Sequence, residues 1–72
     1  MVEESKREKF KRLASQRTQA VLDKLRVLGN CSNTYNYEYD ESDARQIFRA
    51  IEDEVRNIKI MFTANKEKKF SL

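Results

Sequence analysis

The 72-residue chain contains no histidine, no proline and no tryptophan, and only one cysteine. Imidazole is the usual general base and the commonest metal ligand, so its absence excludes Ser-His and Cys-His catalytic pairs. A single cysteine can form neither a zinc site nor an internal disulfide, which fits a reducing compartment. We therefore expect a protein that is not an enzyme and that uses no cofactor and no metal.

Long apolar runs and nucleotide-binding loops are missing too. No stretch approaches the ~20 apolar residues that a membrane span needs. The sequence contains no P-loop, no dinucleotide fingerprint and no EF-hand spacing. A chain this short also lacks a pocket that could exclude water from a small substrate. We expect a cytoplasmic protein with no membrane association and no small-molecule substrate.

The charge is high but unevenly distributed. Apolar residues make up 39% of the chain, charged residues 38%, and the net charge is +3. Residues 1–36 carry eight Lys/Arg against four Asp/Glu, residues 37–65 carry four against seven, and residues 66–72 carry three against one. Basic ends therefore flank an acidic middle, which favours acidic partners for the ends, nucleic acid being the commonest.

Two stretches have the apolar periodicity of amphipathic helices. The first, predicted from about residue 4 to 28, carries on one face Phe10, Ala14, Val21, Leu25 and Leu28. The second, predicted from about residue 41 to 63, joins in steps of three and four Ala44, Ile47, Phe48, Ile51, Val55, Ile58 and Phe62. Between them, Gly29 is placed for a left-handed C-cap and Asp40 for an N-cap.

These helices predict an all-α fold, a two-helix antiparallel hairpin forming one domain over residues 1–65, with a connecting loop at 29–40. Residues 66–72 are predicted to form a basic, flexible tail. Near its end the first helix is apolar over an arc wider than one helix covers, with Leu22 and Val27 at the margins. Dimerisation into a four-helix arrangement, docking on a larger partner, or the loop folding back would each cover it.

The connecting loop combines turn-forming asparagines with all three tyrosines of the chain. Tyr35, Tyr37 and Tyr39 alternate with polar residues, so in an extended segment their rings would share one face. Together with Asn33 they are a candidate partner-contact loop or base-stacking surface. The alternative, favoured in so small a protein, is that the rings cap the open end of the hairpin. Cys31 has no histidine base, and we expect a buried or half-buried thiol.

Two groups of basic residues are candidates for contact with nucleic acid or another acidic partner. Arg45, Arg49 and Arg56 lie within about 40° of one another on the second helix, opposite its apolar stripe. Pairing of Arg49 with Asp53 and of Arg56 with Glu52 would partly neutralise this arginine ridge. On the first helix the basic residues wrap round the axis, which favours non-specific phosphate attraction over sequence readout. The candidate contacts there are Lys9, Lys11 and Arg12.

The stretch LDKLRVLGNCSNTYNYEYDESDARQIFRAIEDEV, nearly half of the chain, resembles small uncharacterised helical proteins of bacterial plasmids, phages and integrated elements. The matching features are Leu22, Leu25 and Leu28, then Gly29-Asn30, Ser32-Asn33 and Asn36-Tyr37-Glu38-Tyr39, and an acidic cap leading into Ile47-Phe48. The resemblance implies a mobile-element origin and helical character, and it implies no activity.

Three functions remain open from the sequence. The first is a non-catalytic binding protein that acts on a nucleic acid or a nucleoprotein complex, through the arginine ridge and the basic first helix. The second is a protein-directed inhibitor or adaptor, such as an anti-defence (anti-CRISPR-like) factor, that binds through the loop and the apolar arc. The third is a structural accessory subunit that is stable only when assembled.

Overall fold

The computed structural model describes residues 3–67 and the side chains of residues 3–64. Helix α1 spans Lys6–Gly29, a 3₁₀ turn follows at Asn30–Ser32, and helix α2 spans Glu41–Glu67. The part of the chain that is described holds no strand. The all-α prediction is therefore confirmed.

A reciprocal capping box starts α1. The Ser5 hydroxyl accepts a hydrogen bond from the Glu8 backbone N–H at 3.1 Å, and the Glu8 carboxylate accepts one from the Ser5 N–H at 3.4 Å. Two of the N–H groups left open at a helix start are satisfied in this way. The helix begins at Lys6 rather than near residue 4, because Ser5 supplies the capping hydroxyl that the preceding glutamates lack.

The end of α1 differs from the left-handed glycine cap expected from the sequence. Gly29 is the last residue of the helix and is right-handed, with φ −57° and ψ −27°. The next N–H, that of Asn30, donates to the Val27 carbonyl, so the helix tightens into the 3₁₀ turn instead of reversing. The prediction of a left-handed Gly29 was wrong, since the 3₁₀ turn satisfies the terminal carbonyls without a positive φ.

Helix α2 starts with the predicted Asp40 cap. Asp40 Oδ1 accepts from the Asp43 N–H at 2.8 Å, and Asp43 Oδ2 accepts from the Asp40 N–H at 3.0 Å. The two carboxylates also oppose the positive end of the helix dipole. The helix continues to Glu67, beyond the predicted end near residue 63. Most of the predicted basic tail, residues 68–72, lies outside the described residues.

The chain divides into two compact units, Met1–Glu38 and Tyr39–Leu72, and their contacts are local in sequence. Each unit therefore owes its described structure to one helix and the caps and turns around it. Across residues 3–64 no side chain is fully buried, and Leu13, Ala14, Leu28, Ala44 and Ile51 are half-buried. The hairpin and its dimerisation stay predictions.

We predict that Ser5→Ala shortens α1 at its start and costs about 1 kcal/mol of helix stability, because the Glu8 N–H loses its acceptor. The measurement is the Cα chemical shift of residues 6–12. Ser15→Ala, in the middle of the same helix, is the matched control and should leave these shifts helical. Equal shifts in the two variants would show that the capping box does not hold the first turn.

Candidate nucleic-acid and partner-binding surfaces

The arginine ridge runs from the second to the fifth turn of α2, and all three of its arginine side chains are exposed to solvent. Arg45 lies 3.7 Å from Glu41, and Arg56 lies 4.0 Å from Asp53. The predicted pairings of Arg49 with Asp53 and of Arg56 with Glu52 were wrong, because Asp53 is taken by Arg56 one turn later. Within the described residues no carboxylate lies within 4.0 Å of Arg49.

The ridge can present three planar donors along one line of the helix. Arg45 and Arg56 are eleven residues apart, which at 1.5 Å per residue is about 16 Å. The two weak ion pairs are solvent-exposed, so an incoming phosphate can displace the carboxylates at small cost. A shallow, open depression runs along the same turns and is bordered by Arg45, Phe48, Arg49, Glu41 and Glu52. Its open shape suits an extended ligand better than an enclosed one.

On α1, Arg12 is held in a two-pronged ion pair. Its Nε and Nη2 donate to the two Glu4 carboxylate oxygens at 2.9 and 2.8 Å. The hydrogen bonds from Arg12 lower the pKa of the Glu4 carboxyl, and the same bonds raise the pKa of Arg12. A guanidinium already matched to a carboxylate is a poorer phosphate ligand than a solvated one. Arg12 therefore contributes less to a basic surface than the sequence suggested.

The remaining cations of the first two turns keep their charge exposed. Lys9 and Lys11 are exposed, and neither has a carboxylate within 4.0 Å in the described part of the chain. Lys9 and Lys11 lie about 200° apart around the helix, so they serve different sides. Arg7 lies over the Phe10 ring, 5.9 Å from its centroid, and this contact leaves its donors open to solvent. This end of α1 is thus basic all round.

The loop that carries the tyrosines is built on Asn33. The Asn33 side-chain oxygen accepts from the Tyr35 N–H at 2.9 Å, forming an Asx turn. Its backbone carbonyl accepts from the N–H groups of Asn36 and Tyr37 at 3.2 and 3.0 Å. Asn33 therefore holds the turn together. Only the side-chain atoms that the turn does not use remain for the predicted contact with a partner.

The turn makes Tyr35 the most exposed large aromatic of the described chain. Tyr35 is 94% exposed and Tyr37 is 53% exposed. Residues 34–36 form a turn rather than an extended segment, so the alternation in the sequence does not line up the rings as it would in a strand. Tyr39 belongs to the second unit and is 43% exposed.

Cys31 lies in the 3₁₀ turn and is exposed, so the expectation of a buried or half-buried thiol was wrong. The turn presents every one of its three side chains to solvent. Among the described residues no group of three His, Cys, Asp or Glu could hold a metal ion. None of the described helical residues forms a segment long and apolar enough to cross a membrane.

The apolar side chains at the margins of the α1 arc are exposed and are not covered by other residues of their unit. Leu22 is 42% exposed and Val27 is 61% exposed, on different sides of the helix. Leu25 lies between them in sequence, Val21 directly precedes Leu22, and both are also exposed. Apolar surface on several sides of one helix is typical of contact with more than one partner element.

Comparison with known proteins gives no relative from which a role could be transferred. No family model matches the chain, and neither a curated protein nor a solved structure matches it. The proposals below therefore depend on the geometry of the chain itself.

We predict that Glu4 titrates below the ordinary range of a glutamate, because Arg12 stabilises its charged form. A lowered folded-state pKa means that the Glu4–Arg12 pair stabilises α1 above the unfolded-state pKa, and that this contribution is lost as the pH falls through the folded value. NMR titration of the Glu4 carboxyl carbon measures the pKa of this group. Arg12→Gln should raise the midpoint, whereas Lys11→Gln should leave it nearly unchanged, and equal midpoints would contradict the pair.

Proposed function

We propose that the protein is a non-catalytic helical binding protein that acts on a nucleic acid or a nucleoprotein complex. One observation carries the proposal: most of the exposed Lys and Arg side chains in the described part of the chain make no ion pair within it. The described side chains include twelve Lys and Arg, and ion pairs within 4.0 Å engage four of them. These four are Arg12, Arg26, Arg45 and Arg56.

The physical basis of the proposal is counterion release. Each cation that neutralises a phosphate releases a condensed ion into solution, so the observed affinity falls steeply with salt. The cations at the start of α1 surround the helix, which supports contact with the phosphate backbone without sequence readout. The ridge on α2 adds guanidinium groups on one line, where Arg49 is the member with no competing carboxylate within 4.0 Å in the described part of the chain.

The architecture that we propose for this activity is the antiparallel hairpin, with a second copy completing a four-helix arrangement. The exposed apolar residues of both helices support it, since neither helix covers its own stripe. A hairpin would also place the basic first helix and the arginine ridge in one small folded unit. The mobile-element resemblance is consistent with a regulator of replication, transfer or transcription.

We predict that the protein binds a mixed-sequence duplex at low salt and releases it at moderate salt. Arg49→Gln should make the plot of log affinity against log salt shallower by about 0.9, the value of one phosphate contact. The measurement is fluorescence anisotropy of a labelled duplex at several salt concentrations.

The matched control is Arg26→Gln, which removes the same charge from a residue already paired with Asp23 at 3.2 Å. Its salt slope should be close to that of the unmodified protein. A duplex that is not bound at low salt would overturn the nucleic-acid proposal. An equal change of the salt slope in both variants would show that the duplex is attracted by net charge alone and that the arginine ridge makes no specific contribution.

A second candidate function, a protein-directed inhibitor or adaptor, is favoured by the almost complete exposure of Tyr35. Tyrosine is enriched in protein interfaces because it offers a rigid ring and a hydroxyl at low entropic cost. The turn around Asn33 fixes the backbone that carries this ring. Such an inhibitor, for example an anti-defence factor, would use Tyr35 and Tyr37 together with the apolar margins Leu22 and Val27.

We predict for this candidate that Tyr35→Ala weakens capture of a host protein partner by at least tenfold, the scale of about 1.4 kcal/mol typical of an interface tyrosine. Thr34→Ala, the neighbouring turn residue, is the control. Capture at moderate salt, followed by quantitative mass spectrometry, is the measurement. A partner retained equally by both variants would show that the loop is not the contact surface.

A further inference from the structure

The apolar stripe of α2 has the spacing of a coiled-coil seam. Ala44, Phe48, Ile51, Val55 and Ile58 follow one another by four, three, four and three residues. In heptad terms Phe48 and Val55 occupy a positions and the other three occupy d positions. The seam is about 21 Å long, from fourteen residues at 1.5 Å each. Phe48 is 56% exposed, and Val55 and Ile58 are 45% and 43% exposed.

Helix α1 offers a poorer counterpart to this seam than a second α2 does. The face that carries Phe10, Val21 and Leu28 also carries the charged residues Arg17 and Lys24. Neither cation has a carboxylate within 4.0 Å in the described part of the chain, so covering α1 with an apolar seam would desolvate unpaired charges. The α2 seam between Ala44 and Ile58 has no such interruption.

The charges that flank the seam distinguish the two ways in which copies of α2 can pair. In a parallel pair, a g residue lies beside the e residue five positions further on in the other helix. Glu54 is at g and Lys59 is at e, so Glu54 of each copy lies beside Lys59 of the other copy. Neither residue has an ion-pair partner within 4.0 Å along the described chain.

In an antiparallel pair e meets e and g meets g. The register that sets Ile51 beside Val55 makes Glu52, Glu54 and Arg45 each face a like charge, which for Arg45 is Lys59. The register that sets Phe48 beside Ile51 brings Arg45 to Glu52, but Arg45 already has Glu41 at 3.7 Å in its own chain.

We propose that the α2 seam is the self-association surface of the protein, and that its occupant is the same seam of a second copy in parallel, in-register orientation. Ion pairs between Glu54 of one copy and Lys59 of the second copy set the direction. The inference specifies which helices meet in the proposed four-helix arrangement. It involves no nucleic acid, so it stands or falls separately from duplex binding.

The first test reverses the charge of Lys59 and measures the dimer dissociation constant by sedimentation equilibrium without nucleic acid. The direction in which the constant changes distinguishes the orientations. Lys59→Glu places a carboxylate opposite Glu54 in a parallel pair and should raise the dimer dissociation constant about tenfold. In an antiparallel pair the same change would either place a carboxylate opposite Arg45 and tighten the dimer, or, in the register that sets Phe48 beside Ile51, face no residue of α2 and leave the constant nearly unchanged. Arg56→Glu, on the opposite face of α2, is the charge-matched control and should change the constant little.

Restoration by a compensating swap completes this test. Glu54→Lys combined with Lys59→Glu should return the dissociation constant close to that of the unmodified protein, since each ion pair is re-formed with its signs exchanged. A dimer that is tighter or unchanged with Lys59→Glu, or no rescue by the double variant, would overturn the proposal. A protein that stays monomeric would overturn it too, and would leave α1 of the same chain as the occupant of the seam.

The second test fixes orientation directly by disulfide exchange in a glutathione buffer. In a Cys31→Ser background, Ala44→Cys places thiols at equivalent d positions, which adjoin only in a parallel, in-register pair. The expected result is a covalent dimer. Ala50→Cys, off the seam, is the control and should stay mixed with glutathione. Equal cross-linking of the two variants would contradict the parallel seam.

Discussion

Backbone hydrogen bonding at the helix starts is the constraint on which the rest of the described structure depends. Every helix begins with four N–H groups that have no partner within the helix. Ser5 with Glu8 and Asp40 with Asp43 close two such sites reciprocally, each within three residues. Since the contacts are local, these caps decide which residues become helical. The Ser5 cap turns the basic segment after it into the first two turns of α1 and so spreads its cations around the axis.

The exposed apolar stripes connect stability to binding. Helices gain most of their stability from packing an apolar face, and a helix of 24 or 27 residues in water without it is only marginally stable. Any partner that covers a stripe therefore stabilises the helix that carries it, by mass action. Association that covers a stripe would therefore couple recognition to folding of that helix.

The elements of the fold that the sequence predicts are those determined by short-range patterns. The α2 stripe and the Asp40 cap follow from spacing and side-chain type, and both are present. The Ser5–Glu8 box is also a short-range pattern, Ser-x-x-Glu, and it places the start of α1 at Lys6, two residues after the predicted start. The pairing of Arg12 with Glu4, eight residues apart, was not predictable, because it depends on Glu4 lying outside the helix. The identity of a bound partner depends on surfaces between molecules, which no local pattern encodes.

Gly29 also has a consequence for the mechanics of the chain. Its backbone is right-handed, and a Cβ added there would meet no atom within 4 Å, so neither geometry nor space requires a glycine. What the glycine contributes is freedom in the unfolded chain, which lowers local stability by roughly 0.4–1 kcal/mol relative to alanine. The end of α1 is thereby softer than the helix before it. Local opening of this last turn costs correspondingly less free energy, at the point where the chain leads into the tyrosine turn.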